Sequence, residues 1–300
     1  MPVYTDLDIR MKNYEKVTDQ KLIRRMPVLI RIDGRAFHTF TKGFNKPFDD
    51  ILINAMKETT KYLCENVQNC VLGYTQSDEI SLLLVDYKEL DTQPWFDNRI
   101  QKIVSNTAAL ATDKFKEAFI NNIEKFGCEN IPDWDMGGTN EWLTDQQEQD
   151  LNYIQTLCNA IENKYKGFDA RCWNIPKDEV TNYFYWRQQD CIRNSIQMVG
   201  QANFSQKELQ NKSCNQIQDM LMEQKGINWN DFPIYQKRGS CCVRNNIVIS
   251  TDGTTEIVQL RDSSESENVW IIDKEIPIFK GEGRKYIDKL VYVGEQYVLE

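Results

Sequence analysis

The order of strands and helices predicted for residues 26–176 constrains the fold more than any other feature of this sequence. Residues 26–32 (MPVLIRI) are a short, β-branched apolar run with charged residues before it and Asp33-Gly34 after it. Such a run predicts a buried strand that ends at the aspartate. Beyond Pro47, which suits the first turn of a helix, apolar residues recur at helical spacing as far as about Asn66.

A hairpin, a second helix and a final strand follow. Two extended runs at residues 71–74 and 80–85 are separated by a polar segment, which indicates a hairpin whose tip carries Asp78. Apolar spacing predicts a helix from Ile100 to about Phe115, and a strand is expected at residues 171–175. The resulting order, β-α-β-β-α-β, is the ferredoxin-like arrangement. We therefore expect an α+β protein.

The rest of the chain adds to this unit. Residues 1–245 are predicted to form the catalytic domain, interrupted by an insertion at about 121–166 that is rich in Gly, Asn, Asp and Glu. An aromatic-rich stretch at residues 178–201 predicts a long additional helix. Residues 246–300 contain β-type runs and are expected to form a C-terminal extension packed on the catalytic domain.

Composition narrows the chemistry. His38 is the only histidine, which excludes HExxH zinc sites and multi-histidine metal centres, so carboxylates must hold any metal. The nine cysteines show no CxxC spacing, which favours reduced thiols, and Cys241 and Cys242 should point to opposite faces of a strand. The net charge of −9 excludes a uniformly basic nucleic-acid binder, so any RNA contact must be local.

The expected location of the protein follows from two absences in the sequence. There is no apolar run of about 18 residues, and the first residues lack the apolar segment of a secretory signal. We expect a soluble intracellular protein without a membrane partner, cytoplasmic or alternatively mitochondrial.

Asp33 and Asp78 are the carboxylates best placed for metal chemistry. The first strand and the hairpin are neighbours in a β-α-β-β-α-β sheet, so both aspartates can reach one end of it. Phosphoryl transfer by two metal ions needs carboxylates that share the ions, and the hard oxygen ligands of Mg²⁺ include carboxylates and a carbonyl such as that of Gly34. The backbone after Gly34 and the Arg35 side chain could cradle a triphosphate. Taken separately, an Asp-Gly pair is usually a turn and an acidic hairpin tip is usually solvated.

Four ordered segments resemble the signature blocks of the tRNA-His guanylyltransferase superfamily. They are RIDGRAFHTFTKGFNKPFD (31–49), GYTQSDEISLLL (73–84), FDARCWNIP (168–176) and YWRQQDC (185–191). The resemblance covers most of residues 5–245 except the insertion. It implies a polymerase-like palm fold, extension of RNA in the 3′-to-5′ direction and a homotetramer.

The resemblance also implies roles for particular residues. Asp33, the Gly34 carbonyl and Asp78 would bind two Mg²⁺ ions, with Glu79 beside them as a third catalytic carboxylate. The residues implied to line the incoming nucleoside triphosphate are Arg35, Ala36, Phe37, His38, Lys46 and Ser77. Arg99 and Lys102, three residues apart on one helical face, would meet the phosphates of an activating nucleotide. Arg187, Lys237 and Arg238 would contact RNA.

One departure from the family pattern bears on the substrate. Where the guanylyltransferases carry HINNLYN, this chain has Ile192 to Met198, IRNSIQM. The difference implies the guanylyltransferase-like branch, which repairs 5′-truncated tRNA against a template after activation of the 5′ end by ATP. The expected partners are then tRNA, ATP, GTP and other nucleoside triphosphates.

Three other functions are compatible with these residues. The protein could be a tRNA-His guanylyltransferase that adds the extra 5′ G. It could be a nucleotidyl cyclase, which shares the palm fold and the paired aspartates but needs no RNA. It could also be a non-catalytic RNA-binding protein, although the intact Asp33 and Asp78 pair argues against that.

Overall fold

The computed structural model describes residues 5–131, 143–249, 255–256 and 267–294. Its centre is an antiparallel sheet in which the strands lie in the order β4-β1-β3-β2-β5-β6, and β7 also pairs with β5. The strands are β1 (Val28–Gly34), β2 (Cys70–Gln76), β3 (Glu79–Leu84), β4 (Phe168–Asn174), β5 (Ser240–Ile249), β6 (Thr255–Glu256) and β7 (Glu267–Asp273).

Helices cover both faces of this sheet. In chain order the described helices are α1 (Asp6–Lys16), α2 (Phe37–Phe40), α3 (Asp50–Asn66), α4 (Ile100–Asn130), α5 (Asp145–Asn163), α6 (Lys177–Asn203), α7 (Gln206–Leu209), α8 (Cys214–Lys225), α9 (Ile234–Arg238) and α10 (Lys285–Val291). None of the described helices is long and apolar enough to cross a membrane.

The predicted order of the first four strands is confirmed. β1 lies between β3 and β4, and β2 pairs with the other edge of β3, all antiparallel. The mixed helical and antiparallel architecture agrees with the α+β prediction. The hairpin tip is shorter than expected, because β2 ends at Gln76 and β3 begins at Glu79.

The prediction for α4 was wrong at its C-terminal end. The helix continues to Asn130 and so enters the segment that was predicted to be an insertion. Its apolar face does not stop at Phe115, since Ala118, Phe119 and Ile123 are also buried. The later part of the same segment forms α5, and residues 132–142 lie outside the described residues.

Successive side chains of each strand point to opposite faces of the sheet, and both faces are buried. Ile30 and Ile32 of β1 belong to the core beneath α3 and α4, whereas Leu29 belongs to a second core beneath α6. Cys241 and Cys242 divide between these two cores, which confirms that they point to opposite faces. Asp33 is four residues after Leu29 in β1, so its side chain lies on the same face of the sheet, the one covered by α6.

The described part of the C-terminal segment packs on the same sheet. β5 runs across the predicted boundary at residue 245, and Ile276, Phe279 and Ile287 are fully buried in the core beneath α6. Of the predicted extension, residues 250–254, 257–266 and 295–300 lie outside the described residues.

Candidate active site

Asp33 and Asp78 meet at one end of the sheet. Asp33 is the next-to-last residue of β1 and faces Glu79, the first residue of β3. The Gly34 N–H donates to the carbonyl of Asp78 at 3.0 Å, so the strand end and the hairpin tip are joined by the backbone. The two predicted metal ligands are therefore neighbours although they are 45 positions apart in the sequence.

Local backbone geometry sets this arrangement. Ser77 adopts φ +51° in the tight turn between β2 and β3, a conformation that allows the chain to reverse within two residues. Gly34 is needed for a different reason. A Cβ atom at this position would lie 2.3 Å from the ring of Phe37, which packs directly against the strand end.

Burial and mutual repulsion disfavour ionisation of Asp78. Its pKa is raised, first by burial and second by the charge of Asp33. A carboxylate pair of this kind is stabilised by a cation, because opposite charge favours the ionised form. The donor set of two carboxylates and the Gly34 carbonyl consists of hard oxygens, which is what Mg²⁺ prefers.

These residues fit magnesium bound together with substrate. Among the described residues there is no group of three or more His, Cys, Asp or Glu side chains placed to hold a metal by themselves. Mg²⁺ is commonly held by one or two carboxylates, with waters and substrate phosphates completing its shell. Asp33 and Asp78 match that incomplete protein shell.

Glu79 is held by arginines next to this pair. Arg187 of α6 donates from Nη1 to Glu79 Oε2 at 2.9 Å, and Arg31 Nε lies 3.7 Å from the same oxygen. The pKa of Glu79 is nevertheless raised, because burial outweighs the opposing charges of Arg187 and Arg31. Glu79 Oε1 is buried and has no hydrogen-bond partner among the described residues.

The Arg187 side chain is buried between two carboxylates. Its side chain is only 7% exposed, pairs with Glu79 and lies 3.3 Å from Asp190. The guanidinium also stacks on Trp186, 3.8 Å from the ring centroid. Arg187 therefore positions Glu79, and its expected RNA contact stays a prediction. The neighbouring Trp186 is 54% exposed.

The residues expected to line the triphosphate divide into two groups. The exposed group consists of Arg35, Ala36, His38, Lys46 and Ser77. Phe37 instead packs in a buried cluster with Phe40, Phe115 and Phe168, so only its backbone could face a nucleotide. The Arg35 N–H is also engaged, because it donates to the carbonyl of Gly167.

Arg99 and Lys102 lie at the other end of the sheet. Thr112 of α4 accepts from the N–H of Phe168, opposite Gly34, whereas Asn98 bonds to Leu22 near the far end of β4. Ten residues of helix separate Lys102 from Thr112, which amounts to about 15 Å. Within one chain, neither cation shares a site with Asp33 and Asp78.

Lys237 and Arg238 differ in their surroundings. Lys237 is buried and its ammonium donates to the carbonyl of Asn230, so it does not project outward. Arg238 is partly exposed, and its carbonyl accepts from the Tyr74 hydroxyl at 2.6 Å. In this conformation the Arg238 side chain could contact RNA, whereas the Lys237 ammonium is engaged inside the protein.

Two charged residues on neighbouring strand positions, Asp169 and Arg31, were not predicted as site residues from the sequence. Asp169 of β4 faces Asp33, and Arg31 lies one pleat earlier beside Glu79. Arg31 was detectable, because it is a charge inside an otherwise apolar strand. Asp169 was not, since its proximity to Asp33 depends on the pairing of two strands that are far apart in the chain.

A narrow cleft adjoins the hairpin tip. It has a volume of about 80 Å³ and is lined by residues of α3, α6 and α9 together with Gln76 and Ser77. A wider cavity of about 1030 Å³ lies along the C-terminal part of α6, beside α7, and contains none of the active-site carboxylates. The smaller cleft is the nearer of the two to Asp78, because its lining includes Ser77, the preceding residue.

Comparisons with known proteins identify the family of this chain. The sequence profile of the tRNAHis guanylyltransferase family matches residues 8–176. A tRNA(His) guanylyltransferase of Schizosaccharomyces pombe is 27% identical over 79% of this chain and 80% of its own length.

Two solved structures cover nearly the whole chain. A bacterial tRNA(His) guanylyltransferase-like protein in complex with ATP is 39% identical, with a TM-score of 0.71 over 96% of this chain and 100% of that one. A second, in complex with GTP, is 36% identical, with a TM-score of 0.68 and the same coverage. The chain therefore belongs to the tRNAHis guanylyltransferase family, whose members are nucleotidyltransferases.

Proposed function

We propose that this protein adds nucleotides to the 5′ end of tRNA in the 3′-to-5′ direction, directed by a template strand, and thereby repairs 5′-truncated tRNA. The observation that carries the proposal is the convergence of Asp33 and Asp78 on adjacent strand ends. The strand order β4-β1-β3-β2 supports a palm-like site of this kind. The relatives bound to ATP and GTP support nucleoside triphosphates as substrates.

The reaction we propose has two displacements at phosphorus. In the first, a 5′-monophosphate oxygen of the RNA attacks the α-phosphate of ATP and pyrophosphate leaves. In the second, the 3′-hydroxyl of the incoming nucleotide attacks the activated 5′ phosphate and AMP leaves. Both steps depend more on positioning and charge neutralisation than on acid or base side chains.

The residues of the site suit those requirements. Asp33, Asp78 and the Gly34 carbonyl would hold two Mg²⁺ ions, which supply the charge that activates a hydroxyl and stabilises a leaving oxygen. The side chains of Arg35 and Lys46, which are exposed, would neutralise triphosphate oxygens. Glu79, held by Arg187 and Arg31, keeps its carboxylate beside Asp33.

The substitution at Ile192 favours template direction over a fixed preference for G. Ile192 is partly buried against the apolar cluster of α6 and α8, and it has no polar atom with which to recognise a base. Selection of the nucleotide would then depend on pairing with the opposite RNA strand. The competing function, addition of the extra 5′ G to tRNA-His, is favoured by the family match at residues 8–176.

One experiment separates these functions. A 5′-truncated tRNA is incubated with Mg²⁺ and all four nucleotides while the template base opposite the 5′ end is changed through its four identities. We expect the complementary nucleotide to be added each time, until the acceptor stem is complete. Addition of G whatever the template, and only to tRNA-His, would support the guanylyltransferase instead. A cyclic nucleotide formed without RNA would indicate a cyclase.

A further inference from the structure

Lys57 is a buried cation that the proposed reaction does not use. It lies on α3, is 6% exposed, and has no ion-pair or hydrogen-bond partner among the described residues. Its ammonium instead lies 3.8 Å from the centroid of the Tyr235 ring. Among the other buried cations, Arg187 has two carboxylate partners and Lys237 donates to the carbonyl of Asn230. Lys57 is therefore the exception.

The ring contact does not fully compensate for partial burial of the ammonium. A cation–π contact recovers only part of what a charge loses on leaving water. The pKa of Lys57 is accordingly lowered to about 8, first by burial and second by the charge of Lys274, and is only partly restored by Asp50. An anion bound at this position would supply the missing compensation.

A small cavity lies in front of Lys57. Its volume is about 30 Å³, and its lining includes Lys57, Gln76, Tyr235 and Ser240. The Gln76 side chain is 6% exposed and its Oε1 is buried without a hydrogen-bond partner among the described residues. Rotation of this amide by half a turn would present Nε2, a donor, at the same place.

The size and position of the cavity restrict what it can take. A volume of this order holds one or two oxygen-sized groups and excludes a nucleobase or a ribose. Ser77, which also lines it, immediately precedes Asp78. Lys274 is exposed nearby, with its ammonium 5.7 Å from the same tyrosine ring. The cavity is thus a cationic recess next to the reacting centre.

We propose that Lys57, Gln76 and Tyr235, with Lys274 at the entrance, form a phosphate-binding site that receives the oxygens of one phosphate group. The inference rests on the proposed function, because that function brings two sources of phosphate to this end of the sheet. One source is the backbone of the RNA and the other is a nucleoside triphosphate. The chemistry of the site is the same for both.

The test is the salt dependence of RNA binding. Each phosphate contact contributes about 0.7–0.9 to the slope of log K against log salt between about 50 and 200 mM. Wild type, Lys57→Met and the control Lys61→Met are compared with a 5′-truncated tRNA in the absence of nucleotides. Lys61 lies one turn further along α3 and pairs with Glu65 on the surface.

We expect the slope of Lys57→Met to fall by about one contact, and that of Lys61→Met to match wild type. In the second arm, the affinity for ATP is measured without RNA. A fall in RNA slope with unchanged ATP affinity assigns the phosphate to RNA. An unchanged slope with ATP affinity reduced severalfold assigns it to the nucleotide.

Two results would overturn the site. One is an unchanged RNA slope together with unchanged ATP affinity in Lys57→Met. The other is an equal loss in Lys57→Arg, whose retained charge should preserve most of the binding. Because methionine removes a buried charge, Lys57→Met should fold, and a denaturation midpoint at or above that of wild type would confirm this. A denaturation midpoint below that of wild type would mean that the Lys57 ammonium stabilises the fold, which contradicts the inference that its charge lacks a compensating partner.

Failure of the proposed function gives a different pattern. If wild type extends no RNA but Lys57→Met changes the salt slope or the ATP affinity, the phosphate site stands and the function is wrong. If wild type extends RNA while neither binding measurement changes, the function stands and the site is wrong.

Discussion

Asp33 and Asp78 are the side chains on which catalysis should depend most strongly. Replacing either by alanine removes one of the two carboxylates that converge at the strand ends. We expect each variant to lose at least about 100-fold in the rate of nucleotide addition, because a metal ligand contributes several kcal/mol to the transition state. Glu65→Ala, on the exposed face of α3, is the matched control. Normal turnover by a folded Asp33→Ala variant would exclude the metal assignment.

Arg187 should matter first for stability. Its partner Glu79 is 8% exposed, so Arg187→Met leaves a buried carboxylate without its nearest cation. We expect a loss of about 3–5 kcal/mol in the free energy of unfolding, measured with urea. The double variant Glu79→Gln with Arg187→Met should be more stable than Arg187→Met alone, because no buried carboxylate remains at position 79.

The sign of the pH dependence gives an independent check on Arg187. The pKa of Glu79 is already raised above its ordinary value of 4.5 by burial, and the charge of Arg187 opposes that shift. Removing the arginine should raise the pKa further, so the folded variant binds a proton more readily than its unfolded chain does. The loss in Arg187→Met should therefore be largest near neutral pH and shrink as pH falls towards 4.5. A loss that is independent of pH would point to packing instead.

At the scale of elements, Asp49 connects α3, α5 and the loop that carries Lys46. Its carboxylate accepts from the N–H of Leu52 at 2.9 Å, from the N–H of Asn45 at 3.0 Å and from the Tyr153 hydroxyl at 2.6 Å. We expect Asp49→Ala to cost about 2–4 kcal/mol in unfolding free energy, because a helix cap and two further bonds are lost. Tyr153→Phe should cost about 1 kcal/mol.

A double-mutant cycle distinguishes this network from simple capping. If the three bonds act together, Tyr153→Phe should have little further effect once Asp49 is alanine. Additive losses would show that the Tyr153 hydroxyl contributes to stability independently of Asp49. In either case the position of Lys46 depends on Asp49, so the affinity for nucleotide should fall along with stability.

At the scale of the whole molecule, the position of Lys102 makes a prediction about assembly. Lys102 is about 15 Å along α4 from the residues that reach the Gly34 end, so it could act on a nucleotide at that end only from a neighbouring copy. We expect Lys102→Ala to impair extension of 5′-monophosphorylated RNA much more than that of 5′-triphosphorylated RNA, which is already activated.

Mixing variants tests whether the contribution comes from a second chain. Mixed assemblies of Lys102→Ala and Asp33→Ala protomers should recover activity on monophosphorylated RNA, because some sites then combine an intact Asp33 with an intact Lys102. Neither variant alone should do so. No recovery after demonstrated subunit exchange would remove Lys102 from the activating step. The same measurement reports on the expected tetramer, since a monomer cannot complement.

The local features of the site were predictable from sequence because they depend on short-range physics. The apolar run before Asp33 and the extended run at residues 80–85 predict strands, and the Asp33-Gly34 pair indicates where the first strand ends. The order of the elements then restricts the sheet to few arrangements, which is why Asp33 and Asp78 were placed together correctly. The end of α4 was missed because the helical period continues into a segment whose composition resembles a loop.

The sequence by itself determined the order of the elements and the carboxylates at the ends of their strands. Tertiary structure alone decided which charges meet. Arg187 reaches Glu79 across 108 residues, Lys102 lies at the far end of the sheet, and Lys57 is enclosed by Tyr235 without an anion. Periodicity predicts which face of an element is buried, but it carries no information about which charged side chain lies opposite. That depends on how separate elements pack.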